Sequence, residues 1–203
     1  YQGDHSSWDS MADWQRSLNK GLNNLPSETK QFVEELIEGL ETDEQKAKAI
    51  YEYMQSKTRY VSIQLGIGGF QPFDSKTVDE TGYGDCKALS FYTQSLLKQV
   101  GVESHYMWVH AGNNPPKVDR EFSDDTFNHI ILCLPNKGDT LWLECTSQTN
   151  PFGYIGKFTG DRDVFVITDD GGKIVHTTAY QQNDNLQRRT ATIQIDKDGN
   201  GTA

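Results

Sequence analysis

The sequence predicts an α+β fold, in which helices come first and an antiparallel sheet follows. In the first half of the chain, apolar residues recur at the three- and four-residue spacing of amphipathic helices. From residue 105 onwards they alternate with polar residues, which is the pattern of strands. With 203 residues, of which 35% are hydrophobic, the chain is long enough to bury one well-filled core. Helices followed by strands are typical of an α+β domain.

Three helices are predicted in the N-terminal part from their apolar stripes. The first covers residues 8–24 and carries two Trp at helical spacing, for which packing against the core is the plain interpretation. The second opens at Ser27, its predicted cap, and places Phe32 on its apolar face. The third is predicted to be capped by Thr42 or Asp43.

A long Gly-rich loop is predicted over residues 66–84, GIGGFQPFDSKTVDETGYG. Inside a domain, a loop of this length is more often functional than filler. It leads to Asp85 and Cys86, where a buried helix begins that Gly101 closes.

Five strands are predicted after this helix, and a loop rich in Pro, Asp and Asn over residues 112–126 joins the first two. The predicted strands are 105–111, 128–135, 140–146, 163–170 and 173–178.

The charge and the apolar pattern exclude some kinds of partner. The net charge is -10, from 19 Lys+Arg against 29 Asp+Glu, and the basic residues form no cluster. Such a chain repels phosphate groups, so we expect neither nucleic acid nor an anionic membrane surface as a partner. No apolar run approaches the ~20 residues that span a bilayer, so membrane insertion is not expected.

The three cysteines, Cys86, Cys133 and Cys145, are an odd count without CxxC spacing. This pattern predicts neither a disulfide framework nor a zinc knuckle. The strand register derived below places Cys133 and Cys145 on opposite faces of the sheet, which argues against a bridge between them. No metal or organic cofactor is expected.

Cys86 is the strongest candidate for a reactive residue. Asp85 can cap the helix that starts there, and the free N–H groups and positive dipole end of the first turn favour a thiolate. The same N–H groups can receive the oxyanion of a tetrahedral intermediate. The alternative is a buried structural cysteine, but the polar neighbours on both sides, in Gly-Asp-Cys-Lys, favour the functional interpretation.

His129 and Glu144 are predicted to meet on the sheet. If residues 135–140 form a hairpin connection, Leu134 pairs with Leu141, and His129 and Glu144 then lie diagonally on one face. A glutamate between apolar residues is expensive to bury without a partner. The histidine at the start of one strand is therefore the expected partner of the glutamate in the next.

Cysteine, histidine and then an acid is the chain order of papain-like enzymes. The segments YGDCKALSFYTQSLLKQVGVESHYMWV, FNHIILCLP and LWLECTSQTNPFGYIG resemble the transglutaminase-like core of bacterial multi-domain proteins, over roughly residues 45–180. The resemblance implies a papain-like fold in which Cys86, His129 and Glu144 form the catalytic triad. The family's third member is usually Asp; Glu144 is one methylene longer and can still accept the imidazole N–H.

The resemblance also implies an organisation for the whole protein. We expect a helical segment at 1–44 that packs on the core, a catalytic core at 45–182, and the start of a truncated C-terminal β segment or domain at 183–203. The chain lacks an initiator Met, and its last stretch reads like an interrupted strand and turn, so we expect a fragment of a polypeptide with flanking β domains. A periplasmic or cell-surface location is expected from the resemblance alone.

The expected function is that of a cysteine hydrolase, a peptidase or amidase that cleaves amide bonds of a peptide or protein substrate by acyl transfer. Transamidation to an amine acceptor is an alternative, although no amine-binding pocket is evident in the sequence. A catalytically silent domain that binds peptides, or a plain structural module in which the three residues are unrelated, are the remaining alternatives.

Two glutamines before the nucleophile are candidates for the side-chain donor of the oxyanion hole. They are Gln64 and Gln71, of which Gln64 is preferred; both could instead be ordinary loop residues. Trp108 and Trp142 lie inside predicted strands, where a core position is the plainer interpretation, although either one could line a substrate groove.

Overall fold

The computed structural model describes residues 6–202 and confirms the α+β architecture. The helices are Trp8–Asn19 (α1), Ser27–Leu36 (α2), Asp43–Lys57 (α3), Ser75–Thr81 (α4), Cys86–Gln99 (α5) and Gly156–Thr159 (α6). The strands are Arg59–Tyr60 (β1), Tyr83–Gly84 (β2), His105–Val109 (β3), His129–Asn136 (β4), Asp139–Leu143 (β5), Asp163–Thr168 (β6), Gly171–His176 (β7), Gln194–Ile195 (β8) and Gly201–Thr202 (β9). Two short 3-10 helices lie at Gly66–Gly69 and Gln182–Asn185.

The central sheet has five antiparallel strands in the order β5-β4-β3-β6-β7. Leu134 on β4 pairs with Leu141 on β5, so the predicted hairpin register is confirmed. The short strands β1 and β2 pair in parallel apart from this sheet, and β8 and β9 form a separate small hairpin.

Apolar side chains are buried on both faces of the sheet. On one face, α5 packs against β4 and β3, and its side chains Leu89, Tyr92 and Leu96 are fully buried. On the other face, a smaller cluster includes Met107 and Ile131. The position of α5 across the sheet fixes where its first residue lies. Among residues 6–202, no helix has the length and apolar character needed to cross a membrane.

Two of the predicted helices differ from the observed ones. α1 ends at Asn19 rather than at residue 24, because the chain turns at Gly21, whose φ of 79° is in the left-handed region. Ser27 is the first residue of α2 rather than its cap, since Pro26 is the N-cap and makes no side-chain cap hydrogen bond. Phe32 is 45% exposed and lies against the ring of Tyr53 instead of in the core. The third helix is capped by Thr42, as one of the two predicted options has it.

The predicted loop at 66–84 is partly helical. Asp74 caps α4 within it by accepting a hydrogen bond from the backbone N–H of Thr77 at 3.0 Å. Gly82 ends α4 in the left-handed conformation, with φ 67°. The glycines on both sides of α4 are typical of a loop. The capping Asp74 and the C-terminal Gly82 are nevertheless ordinary signals of a helix.

The strands β3 and β5 end earlier than predicted, and after β3 a side chain forms hydrogen bonds with the backbone carbonyls that follow the strand. β3 ends at Val109 rather than at 111, since the guanidinium of Arg162 donates to the carbonyls of His110 and Gly112 at 2.5 and 2.8 Å. β5 ends at Leu143, so Glu144 follows the strand instead of lying within it. The remaining strands of the sheet begin or end within two residues of the predicted limits.

Gly84 sets the junction between β2 and α5. A Cβ atom at this position would lie 2.7 Å from the Cβ of Ala88, closer than carbon atoms approach each other. Only glycine therefore lets β2 run directly into the first turn of α5, and this close junction fixes the position of Cys86.

Candidate active site

Cys86 is the first residue of α5 and is 3% exposed. Asp85 is the N-cap, and its Oδ1 accepts a hydrogen bond from the backbone N–H of Ala88 at 3.0 Å. First-turn N–H groups have no acceptor within their own helix. They create a positive potential at the N-terminus of α5, where Cys86 lies.

The N-cap also forms a buried ion pair. The ammonium group of Lys87 contacts Oδ2 of Asp85, and both side chains are at most 5% exposed. Lys87 lies directly beside Cys86 in sequence and lines the same cavity. A single carboxylate therefore both caps α5 and neutralises a buried cation next to the thiol.

Asp85→Asn is expected to lower the free energy of unfolding by about 3–5 kcal/mol, since it keeps the cap acceptor but leaves the Lys87 ammonium buried without its counter-charge. Urea unfolding measures this change. The double variant Asp85→Asn/Lys87→Met is the matched control and is expected to regain most of the loss. An equal loss in both variants would show that the cap, and not the ion pair, carries the effect.

His129 opens β4 and lies against Glu144. Its Nε2 is 2.9 Å from Oε2 and 3.1 Å from Oε1 of Glu144, and the two residues are 9% and 2% exposed. The side chain of Cys86 lies close enough to His129 to raise the pKa of the imidazole, and both residues line one cavity. Because Nε2 faces Glu144, Nδ1 is the ring nitrogen left for the sulfur. The structure thus brings the three predicted residues together.

The pKa of His129 is set by opposing effects. Burial disfavours the imidazolium, but the hydrogen bonds with Cys86 and with Glu144, together with their negative charge, outweigh it and raise the pKa from 6.5 to about 9. At neutral pH the imidazole therefore carries a proton, and it loses this proton only as the pH rises through about 9.

The groups around Glu144 favour the ionised form of its carboxyl. Its burial would raise the pKa of the carboxyl, but the hydrogen bonds from His129 and Thr146 lower it below its ordinary value. Oε1 accepts from the hydroxyl and from the backbone N–H of Thr146 at 2.6 and 3.1 Å. The hydroxyl of Tyr51 donates to the backbone carbonyl of Glu144 at 2.8 Å. These contacts explain why Glu144 meets His129 although it lies outside the strand.

A cavity of about 200 Å³ adjoins Cys86 and His129, and Gln64 lines it. β1 runs parallel to β2, which leads into α5, so the segment after β1 passes beside Cys86. Gln71, the second candidate, does not line this cavity, and its side-chain amide donates to the carbonyl of Leu18 at 2.9 Å. A larger groove of about 780 Å³ lies elsewhere on the molecule and includes neither Cys86 nor His129.

The other two cysteines are free and buried, and they lie in separate apolar clusters. Burial raises the pKa of both Cys133 and Cys145 to about 12, so each remains a thiol at neutral pH. Within residues 6–202, no group of three or more His, Cys, Asp or Glu side chains is placed to hold a metal ion.

Sequence reasoning missed three residues that border the site. Gln15, on α1, and Lys87 line the cavity, and the ring of Phe158 lies 5.4 Å from the ring of His129. A signal existed for Gln15, since it follows Trp8 and Met11 at helical spacing and is thus a polar residue on a buried stripe. No local sequence pattern indicates that Phe158 lies beside His129, because its position depends on the path that the chain takes between β5 and β6.

The fold resembles that of solved proteases. A proposed protease from Parabacteroides distasonis aligns with a TM-score of 0.58 and 17% identity, over 81% of this chain and 30% of that one. A proposed cysteine protease from Cytophaga hutchinsonii aligns with a TM-score of 0.47 and 13% identity, over 87% of this chain and 53% of that one. LapG of Legionella pneumophila aligns with a TM-score of 0.46 and 12% identity, over 79% of this chain and 87% of that one.

No family model matches the sequence, and no curated protein matches it. The first of the structural matches shows the fold, whereas the other two are too distant to carry an argument. The chain shares the fold of that first match, and the α+β fold class that its sequence predicts is confirmed. It spans about a third of the first matched chain and about half of the second.

Proposed function

We propose that this chain is a cysteine hydrolase that cleaves amide bonds in peptides or proteins by acyl transfer. The proposal rests on one observation, namely that Cys86, at the N-terminus of a buried helix, lines one cavity with His129, which is hydrogen-bonded to Glu144. Cysteine peptidases need this combination of a nucleophile, a proton carrier and a residue that orients it. Glu144 acts as the positioning residue for His129.

The proposed reaction begins with the thiolate of Cys86 and the imidazolium of His129. The sulfur attacks the amide carbonyl, and the negative charge that develops on the carbonyl oxygen is bound by the backbone N–H of Cys86 and by the side-chain amide of Gln64. As the C–N bond breaks, His129 gives its proton to the leaving amine. Cys86 is then a thioester, and the amine product departs.

Acylation prepares His129 for the second half of the reaction. The sulfur of the thioester carries no charge, so the contribution of Cys86 to the raised pKa of His129 disappears. The neutral imidazole can then take a proton from water, which attacks the thioester and releases the carboxylic acid. The same pair of residues thus acts first as an acid and then as a base.

The substrate class follows from the surface around the site. Leu65 follows Gln64 and is 84% exposed, and Phe158 beside His129 is 51% exposed. Exposed apolar side chains next to a nucleophile favour a peptide with apolar residues near the cleaved bond. Water is the proposed acceptor, and an amine acceptor would make the protein a transamidase instead.

Cys86 is expected to be acetylated by 4-nitrophenyl acetate, because this ester needs only the nucleophile and the oxyanion site. Intact-protein mass spectrometry measures the gain of one acetyl group, which water is then expected to remove. The matched control is Cys86→Ala, in which this acetylation is lost, and glycinamide added as an amine tests for transamidation. If Cys86→Ala is acetylated as fast as the wild-type protein, the proposal is wrong and peptide binding becomes the preferred function.

A further inference from the structure

Two buried polar atoms without a hydrogen-bond partner belong to residues that line the cavity beside Cys86. They are Oε1 of Gln15, on α1, and Nε1 of Trp108, on β3. In the described part of the chain only two other buried side-chain N or O atoms lack a partner, and their residues do not line this cavity. An unpaired buried polar atom costs about 1–3 kcal/mol. Two unpaired atoms beside one cavity indicate that a bound ligand supplies their hydrogen-bond partners.

The orientation of the Gln15 side chain is fixed by its other end. Its Nε2 donates to Oδ1 of Asn19 at 2.7 Å and to the carbonyl of Phe70 at 3.3 Å. Both partners accept hydrogen bonds, so turning the amide over would break two bonds. Gln15 is fully buried, and its Oε1 remains an acceptor with nothing to accept from among residues 6–202.

Trp108 presents a donor of the opposite kind. An indole nitrogen can only donate, and two other tryptophans of the chain use theirs. Trp8 donates to the carbonyl of Arg120 at 3.2 Å, and Trp142 donates to the hydroxyl of Thr178 at 2.9 Å. The Trp108 indole is held in place by four aromatic rings, with centroids 5.9–6.4 Å away. These rings are those of Trp14, Phe70, Phe127 and Phe165.

We propose that Gln15 and Trp108 form a subsite for one amide group of the substrate, a group that offers an N–H and a C=O together. Oε1 of Gln15 accepts from its N–H, and Nε1 of Trp108 donates to its C=O. The volume of about 200 Å³ is below the ~300 Å³ of the smallest drug-sized pockets, which suits a single amide. The inference rests on the proposed function, because the amide would belong to the molecule cleaved at Cys86.

The charge of the cavity agrees with an uncharged ligand group. The ammonium of Lys87 is neutralised by Asp85, and the imidazolium of His129 is neutralised by Glu144. Apart from Cys86 itself, the charged side chains among the described residues that line the cavity are paired, so they offer no free counter-charge to a charged ligand group. A main-chain peptide bond and a carboxamide side chain share the required chemistry.

Titration of the wild-type protein with small amides, followed by the ¹H–¹⁵N signals of the indole groups, tests the subsite. N-methylacetamide stands for a peptide bond, propionamide for a carboxamide side chain, and methyl acetate lacks the N–H. Trp108→Phe identifies the Trp108 signal by its loss. We expect at least one amide to shift this signal saturably while the signals of Trp8 and Trp142 stay in place. The amide that shifts it at the lower concentration identifies the source of the group.

Two variants show which residue supplies the acceptor. Gln15→Met removes Oε1 and is expected to weaken amide binding about fivefold or more, as one neutral hydrogen bond predicts. Asn19→Ala is the matched control, because it removes a partner of Nε2 and leaves Oε1 in place. It is expected to bind amides within about twofold of the wild-type protein.

The proposal is overturned if neither amide moves the Trp108 signal, or if methyl acetate moves it equally. Should Gln15→Met fail to fold, the three probes on the wild-type protein still decide the question. Repeating the titration in Cys86→Ala, which cannot form a thioester, makes the result independent of the chemistry of Cys86. Amide binding without acetylation of Cys86 would support the subsite and reject the hydrolase, whereas acetylation without amide binding would do the reverse.

Discussion

Replacement of His129 by alanine is expected to slow the alkylation of Cys86 by iodoacetamide about 100-fold at pH 6. In the proposed mechanism the proton resides on His129, whose pKa is raised to about 9, and the sulfur of Cys86 reacts as the thiolate. Without the imidazole, Cys86 must lose its proton to water like a free thiol, whose pKa is about 8.5, so only a small fraction is ionised at pH 6. The rate of label incorporation between pH 5 and 10 measures the difference.

Two control variants show whether the labelling is specific to Cys86 and its activation specific to His129. Cys86→Ala establishes that the label is on Cys86, since Cys133 and Cys145 are buried and their pKa values are raised to about 12. His105→Ala is the matched histidine control, because His105 forms an ion pair with the exposed Glu103, at 3.3 Å, and does not line the cavity. The same pH profile in wild type and His129→Ala would mean that His129 does not activate the sulfur.

The candidate site could be predicted from sequence because each residue carried a local signal. Asp85 and Cys86 stand at a helix start, and the pairing of Leu134 with Leu141 follows from a short hairpin connection. That register alone brought His129 and Glu144 together. The prediction that Glu144 lies within the strand is wrong, because β5 ends at Leu143. Its carboxylate still meets His129, since Thr146 holds it just beyond the strand.

The parts that sequence could not predict depend on contacts between distant segments. Gln15 approaches the cavity only because α1 packs across the sheet against β7 and β6. Likewise, the glycines before and after α4 make the whole segment 66–84 look like a loop, although Asp74 and Gly82 mark the two ends of the helix. Periodicity places Phe32 on the apolar face of α2, but this residue is 45% exposed and lies against the ring of Tyr53. Periodicity defines a face but does not tell how much of it is covered.

Glu144→Gln is expected to lower the pKa of His129 from about 9 towards its ordinary value of 6.5. The amide oxygen of Gln can still accept from Nε2, so the ring keeps its place, but the negative charge that stabilises the imidazolium is gone. NMR titration of the His129 ring signals measures the pKa directly. Glu103→Gln is the matched control, because it removes a carboxylate beside His105 and is expected to leave the His129 titration unchanged.

The same substitution is expected to reduce amide hydrolysis at pH 7 about fourfold, because lowering the pKa of His129 from about 9 to about 6.5 lowers its protonated fraction at pH 7 by about that factor. A lower pKa leaves fewer His129 rings protonated when the amine must leave, so the alkaline limb of the pH–rate profile moves to lower pH. A merely structural role for Glu144 would lower the rate without moving that limb. An unchanged pKa in Glu144→Gln, with the fold intact, would instead show that burial and Cys86 alone set the protonation of His129. Glu144 would then be a packing residue and the site a dyad.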